Sequence, residues 1–286
     1  MNIVYIAQAK SIELNYGTPI LADQYSKQAL KKNYNVCLIT PTYDEKLFYK
    51  TLIKNKIYYH HLPAINNWTI NGFKYENVAS NLNLNLPFKP DLFHIIDLVN
   101  FDSQIIYQLS KYKIPIIRHI CSFEDFCYFI TPIFNKNDHE LCKIELNAEV
   151  CSKCISKNFF KKQKFLKKIA FLLLNKEKRL KNEFKEKLKD RNQIISLQLK
   201  QNYDHLIFGS KEYANFYFLH AQTEKKFSII PHGTKIAKPL NKSKKEKINF
   251  IYTGGSILNK GWKLIENSFE HLLKKYPDTI CLRIYG

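Results

Sequence analysis

No apolar run in this 286-residue chain is long enough to cross a bilayer; the longest, Ile169 to Leu174, falls far short and is flanked by lysines. The amino terminus, Met1-Asn2-Ile3-Val4-Tyr5-Ile6, lacks the basic stretch and small-residue cleavage site of a secretory leader. The chain is therefore expected to stay in the cytoplasm, with its seven cysteines as thiols or metal ligands rather than disulfides. Acidic residues are scarce, 25 against 45 basic ones, for a formal charge of +20. Such a charge attracts phosphates of any kind, on nucleotides, lipid head groups or nucleic acid. Arginine stands only at Arg118, Arg179, Arg191 and Arg283, and an excess of surface lysine also needs no partner. A nucleic-acid binder would interleave aromatics with lysines on an exposed face. Here the aromatics fall mostly in core-patterned segments, so nucleic acid is not an expected partner. No tandem repeat is present.

The chain has enough apolar residues, 45%, for one large domain or two ordinary ones. Asn2 to Ala7 reads as a buried strand and Pro19 to Lys31 as a helix with Ile20, Leu21, Tyr25 and Ala29 at helical spacing. Asn35 to Thr40 reads as the next strand, closed by Pro41. Strand, loop, helix, strand is the βαβ unit of a doubly wound sheet. The order continues with strands over Asp91 to Ile96, Ile114 to Ile120, Leu206 to Ser210 and Phe227 to Pro231. Helices over Asp102 to Lys111 and Glu212 to His220 lie between them. Lys235 to Lys247, lysine-rich and holding Pro239, reads as a linker. After it, Ile248 to Thr253, Gly261 to Lys275 and Thr279 to Tyr285 form a last strand, helix, strand unit. The expected organisation is a Rossmann-like first domain over 1–234 and an incomplete second one over 235–286.

Lys161 to Arg191 interrupts this order with a basic helical pattern in which Leu166, Ile169, Leu173, Leu180, Phe184 and Leu188 recur at helical spacing. It fits a helix docked on its own core, and equally one lying on an anionic membrane surface.

Two places carry candidate chemistry. The strand ending in Gly254-Gly255 leads through a short loop to Lys260-Gly261 at a helix start. Glycines let backbone approach a ligand, a helix N-terminus favours an anion, and Lys260 adds a positive charge beside a diphosphate. Cys127, Cys142, Cys151 and Cys154 fall in a stretch that reads as loop-rich, over 121–154, and the last pair has Cys-x-x-Cys spacing. Four thiolates suit a structural zinc, an iron–sulfur cluster has the same ligand count, and unmetallated thiols remain equally open. Cys121 is a fifth candidate.

The order and spacing of several segments resemble the family 4-like glycosyltransferases, which have the GT-B architecture. The segments are the opening strand with its Gly17 loop, Asn35-Val36-Cys37-Leu38-Ile39-Thr40, Pro90-Asp91-Leu92-Phe93-His94 and Ile114-Pro115-Ile116-Ile117. They continue with Asp204-His205-Leu206-Ile207-Phe208-Gly209-Ser210, Ile229-Ile230-Pro231-His232-Gly233, Phe250-Ile251-Tyr252-Thr253-Gly254 and Lys260-Gly261. The resemblance implies a retaining enzyme that moves a sugar from a nucleotide-sugar donor to a glycan or lipid-linked acceptor in cell-envelope synthesis. It works without a catalytic metal. It implies donor contacts by Gly17, Gly254, Gly255, Lys260 and Gly261. On the acceptor side the usual histidine position holds Cys121, and His119 stands two residues earlier on the same strand face; Glu124 and Asp125, with Arg118, lie nearby to bind hydroxyls or phosphate.

The paired glutamates that such enzymes use to hold donor sugar and ribose would come after Gly286. The expectation is thus a fragment or one half of a split enzyme, inactive alone and completed by a separately encoded donor domain. The alternatives are a non-catalytic acceptor- or partner-binding product and, third, a basic nucleic-acid binder.

If the basic segment lies peripherally on the inner membrane face, binding to anionic vesicles will weaken steeply with salt. Replacing Lys161, Lys162, Lys164 and Lys168 together with glutamine will weaken it further, as a vesicle co-sedimentation assay reads. Equal binding to neutral and anionic vesicles leaves only the docked helix.

Overall fold

A computed structural model describes residues 1–8, 17–65, 84–127, 147–161, 176–221, 225–231, 233, 247–253 and 261–285. Its elements are β1 (Asn2–Ile6), α1 (Gly17–Lys31), β2 (Asn35–Thr42), β3 (Thr51–Lys54), β4 (Ile57–Pro63), β5 (Leu92–Ile95), α2 (Gln104–Ser110) and β6 (Ile116–Ile120). They continue with α3 (Ala148–Lys161), α4 (Lys176–Leu197), a π-helical turn (Gln198–Asn202), β7 (His205–Phe208), α5 (Lys211–Ala221) and β8 (Phe227–Ile229). Last come β9 (Ile248–Tyr252), α6 (Trp262–Lys275) and β10 (Ile280–Ile284). The described residues up to Pro231 cluster as one unit, and those from Gly233 onward as another.

The first unit is built on an eight-stranded sheet in the order β3-β4-β2-β1-β5-β6-β7-β8. All neighbours pair parallel except β3, which runs antiparallel on the edge against β4. From β1 the chain winds one way to β2 and β4, then returns to β5 on the other side of β1. The strand order reverses between β1 and β5, the place where open α/β sheets bind ligands at their carboxyl ends.

Parallel strands covered on both faces read as near-continuous apolar runs, which is why β1, β2, β5, β6 and β7 were visible in the sequence. Side chains alternate between faces. Val4, Ile6, Phe93, Ile95, Ile116, Ile120, Leu206 and Phe208 point to one core, which α2, α5 and the end of α4 close with Ile105, Ile106, Leu109, Ile195, Leu199 and Tyr217. Ile3, Tyr5, Val36, Leu38 and Ile96 point to the other, closed by Ala22 and Ala29 of α1.

Several expectations are corrected. Helix α1 buries Pro19, Ala22, Ser26 and Ala29, while Ile20 is exposed; small side chains let the helix lie close to the sheet. The β3–β4 hairpin was not expected, because Thr51–Lys54 faces water almost along its whole length. Strand β2 runs through Pro41 to Thr42. The segment holding Cys151 and Cys154 is helix α3 rather than loop. Of the basic segment, Lys161 falls in α3 and 176–191 in α4, while 162–175 lie outside the described residues. Within it, Phe184 and Leu188 pack against Ile155, Ala148 and Cys151 of α3, so the described part uses its apolar positions on a neighbouring helix. Leu166, Ile169 and Leu173 lie outside the described residues, as does most of the linker at 235–247.

The second unit's described part pairs β9 and β10 in parallel, with Phe269 and Trp262 of α6 over Phe250 and Tyr252. Ile251 remains 64% and Leu264 72% exposed.

The packing of α1 has a direct test. Enlarging Ala22→Leu will destabilise the chain by about 1–3 kcal/mol through overpacking. Ile20→Ala will stay within about 0.5 kcal/mol. Urea unfolding midpoints report both.

Candidate functional site

Strand β6 delivers two polar side chains to opposite faces of the sheet. Arg118 follows Ile116 and Ile120 toward the α2–α5 core, and His119 points toward α1, as the alternation requires. Both are fully buried. The ring of His119 stacks on that of His94 at 6.0 Å and 5°, and the Tyr25 hydroxyl of α1 meets His119 Nδ1 at 3.5 Å. Tyr25 also packs on His94 and Tyr5. Burial pushes the His94 imidazole down to about 4, so it is neutral across the physiological range and serves as a packed ring.

Arg118 is held by the turn that follows its own strand. Its Nη2 bonds Glu124 Oε1 and lies 3.9 Å from Asp125 Oδ1. Ser122 Oγ donates to Glu124 Oε2 at 3.0 Å, and the Tyr217 hydroxyl of α5 donates to Asp125 Oδ2 at 2.7 Å. Arg191 of α4 donates to the Glu124 carbonyl, and the Tyr213 hydroxyl to the Ser122 carbonyl. Burial opposes the charge on Arg118, yet Asp125, then Tyr203 and Tyr217, and last Asp97 hold its guanidinium above the ordinary arginine range. Burial lowers Arg191, partly offset by Asp125, Cys127 and Cys151. Burial, then Asp125, raises Tyr217 well beyond a normal phenol.

The expected acceptor-side set is therefore split. Glu124 and Asp125 are engaged with Arg118 on one face of the sheet, and His119 lies on the other against α1. Adjacent residues on a strand cannot converge on one ligand atom from opposite faces.

The carboxyl ends of β1 and β5 hold a group that the motif reading missed. Asp97, 2% exposed, sits two residues beyond Ile95, the register partner of Arg118. Its Oδ1 accepts from the Gln8 N–H at 2.8 Å and the Val99 N–H at 3.2 Å, and the Thr18 side chain also hydrogen-bonds the carboxylate. Its Oδ2 has no hydrogen-bond partner among the described residues, nor have Arg118 Nε and Nη1. Burial raises the Asp97 carboxyl above its ordinary value, against the pull of Thr18, Gln8, Arg118 and Val99. A signal was available: an acid directly after the largely apolar strand Leu92-Phe93-His94-Ile95-Ile96 is placed at a strand mouth or in the core.

On the donor side, Gly17 opens α1 with φ +42° and is exposed; a Cβ there would meet nothing within 4 Å. The glycine thus answers to backbone conformation rather than to a crowded approach. Gly261 caps α6 in the left-handed region, φ 79°, which glycine alone adopts without strain. Gly254, Gly255 and Lys260 lie outside the described residues. Of the four candidate metal ligands, Cys142 also lies outside them. Cys127 follows the Arg118-binding turn, and Cys151 and Cys154 stand one helical turn apart on α3. Cys127 and Cys151 both act on Arg191. Among the described residues no group of three His, Cys, Asp or Glu side chains is placed to hold an ion, and no helix is long and apolar enough to cross a membrane.

No family model matches the chain, and no curated protein matches it in sequence. Among solved structures, it is similar to the sucrose-phosphate synthase of Thermosynechococcus elongatus, with a TM-score of 0.50 and 11% identity. The match covers 100% of this chain and 70% of that one. The likeness establishes the fold: mixed α/β with a large parallel sheet, similar to a GT-B glycosyltransferase. It does not single out the family 4-like branch.

The buried network generates a graded expectation. Glu124→Leu strands the Arg118 guanidinium in the core and will cost about 3–5 kcal/mol. Tyr217→Phe removes one donor to a carboxylate that keeps other partners, and will cost about 1–3 kcal/mol. Urea unfolding followed by circular dichroism will rank the two in that order.

Proposed function

We propose that this chain carries the acceptor-binding domain and the opening of the donor-binding domain of a glycosyltransferase. The enzyme would move a sugar from a nucleotide sugar to an acceptor hydroxyl. The observation that carries the reading is the glycosyltransferase-like fold spanning the whole chain. The reversal of strand order between β1 and β5 supports it, with a buried polar group at the strand mouth.

On this reading the donor diphosphate meets Lys260 and the N-terminus of α6, which Gly261 caps. The helix dipole and the lysine charge would stabilise the leaving diphosphate, and the rest of catalysis would be positioning. Gly17, Gly254 and Gly255 would give backbone access. The acceptor would be a glycan or a lipid-linked sugar, the latter met at an anionic membrane surface. With its ring packed between Tyr25 and His94, His119 would act there by shaping the α1 side of the site.

A second reading, a partner-binding chain without turnover, is favoured by one observation. The described part of the second unit is a parallel strand pair with Ile248, Phe250 and Ile251 exposed. Parallel sheets are normally covered on both faces, and a separately encoded donor domain would supply the cover.

Calorimetric titration with a panel of nucleotide sugars, beside a donor-hydrolysis assay, tests the proposal. One exposed charged contact is worth on the order of 1 kcal/mol against the roughly 8 kcal/mol of micromolar binding. The chain alone is therefore expected to bind a donor weakly, more weakly still after Lys260→Ala, and to turn over nothing. Micromolar affinity lost on Lys260→Ala would show a more complete donor site than this. No response to any nucleotide sugar at millimolar concentration, with or without a donor-domain polypeptide, overturns the transferase reading.

A further inference from the structure

Two cysteines of α3 have no part in the transferase reading. Cys151 and Cys154 both stand as thiols, each partly open to solvent. The helix itself brings them together. Residues three apart on an α-helix lie about 5 Å apart at Cα, inside the roughly 4.4–6.8 Å span of disulfides. Their Cβ atoms, about 5–6 Å apart, must close to about 3.8 Å for an S–S bond. The turn between them therefore has to give.

That turn is built to give. Ser152 Oγ donates to the Glu149 carbonyl at 2.9 Å and Ser156 Oγ to the Lys153 carbonyl at 3.1 Å, and both serines are buried. Hydroxyls that bond back to the preceding turn compete with helical N–H groups and bend helices. When the turn opens, each serine keeps a carbonyl bonded that would otherwise be orphaned. The same turn faces α4. Cys151 packs against the Ile155–Leu188 pair with Phe184, and Arg191, one turn beyond Leu188, donates to the Glu124 carbonyl. A change at Cys151 thus bears on the helix that grips the Arg118-binding turn.

We propose that Cys151 and Cys154 are a redox-active dithiol, which exchanges with a small-molecule disulfide to close a one-turn disulfide on α3. One thiolate attacks a sulfur of the small disulfide, forms a mixed disulfide and expels the first small thiol. The second thiolate attacks the protein sulfur of that bond, closes Cys151–Cys154 and expels the second small thiol. Two electrons pass from the dithiol to the small disulfide, and the two cysteine protons end on the two released thiols. A bond closed across a turn that must open is strained, and strained disulfides are the labile, exchangeable ones. Cys151 and Cys154 act here as thiols rather than metal ligands, whether or not the transferase reading holds.

Thiol mapping of the full chain, purified without chelator, tests this. The chain is equilibrated with reduced and oxidised glutathione in varied ratio, its remaining thiols are alkylated, and it is cut with trypsin. Trypsin cuts after Lys153, between the two cysteines, so mass spectrometry reads the internal bond as peptide 144–153 joined to 154–157. The joined pair is expected to appear as oxidised glutathione rises and to vanish when reduced glutathione is restored. In Cys151→Ser and Cys154→Ser no second thiol of the pair can resolve the mixed disulfide. At least one of the two variants is therefore expected to hold glutathione at about tenfold or more the level on the parent chain. Three results overturn the proposal: no joined pair at any ratio, a joined pair that forms only after a chelator strips zinc, or no glutathione held by either variant.

Discussion

The guanidinium of Arg118, 1% exposed in the middle of a parallel sheet, is the constraint around which the first unit is arranged. An ion taken out of water costs several kcal/mol unless it is paired and hydrogen-bonded. The chain meets that requirement within seven residues, turning back after β6 so that Glu124 and Asp125 reach Arg118. The same turn is then gripped from outside: its Glu124 carbonyl takes Arg191 from α4, and Tyr213 and Tyr217 of α5 bond Ser122 and Asp125. One buried charge thus fixes the exit of β6 and the helices on either side of β7. Ring contacts of Phe208 and Phe126 with Tyr217 fill the remaining space.

That arrangement decides what the strand mouths have left to offer. Acids that motif spacing would send to a ligand are consumed inside the core, and the histidine beside Arg118 is a ring stacked on His94 on the other face. Among the described residues, Asp97 Oδ2 and Arg118 Nε and Nη1 are among the buried atoms left without hydrogen-bond partners.

The second unit obeys the same chemistry with less to work with. Its helix α6 lays Phe269 and Trp262 on β9, but two parallel strands cannot make a covered sheet. The apolar side chains of β9 stay in water to a degree that no strand of the first unit's centre does.

Local periodicity determined much of this protein. Mostly apolar runs marked β1, β2, β5, β6 and β7, and the alternation of strands with helices implied the doubly wound sheet, since both signals come from residues a few positions apart. The hairpin of β3 and β4 escaped because an exposed edge strand has no apolar run to show. Helix α3 escaped because cysteines, serines and lysines at 151–156 carry little helical period. The buried side of α1 escaped because Ala22, Ser26 and Ala29 are chosen for close approach rather than for hydrophobicity. The site depended on tertiary structure for a further reason. Whether Glu124 serves a ligand or a buried arginine is settled by where Arg118, Arg191 and Tyr217 come together. Those charges are separated by up to dozens of residues in the chain, and their interaction energy depends on burial and distance, neither of which sequence spacing encodes.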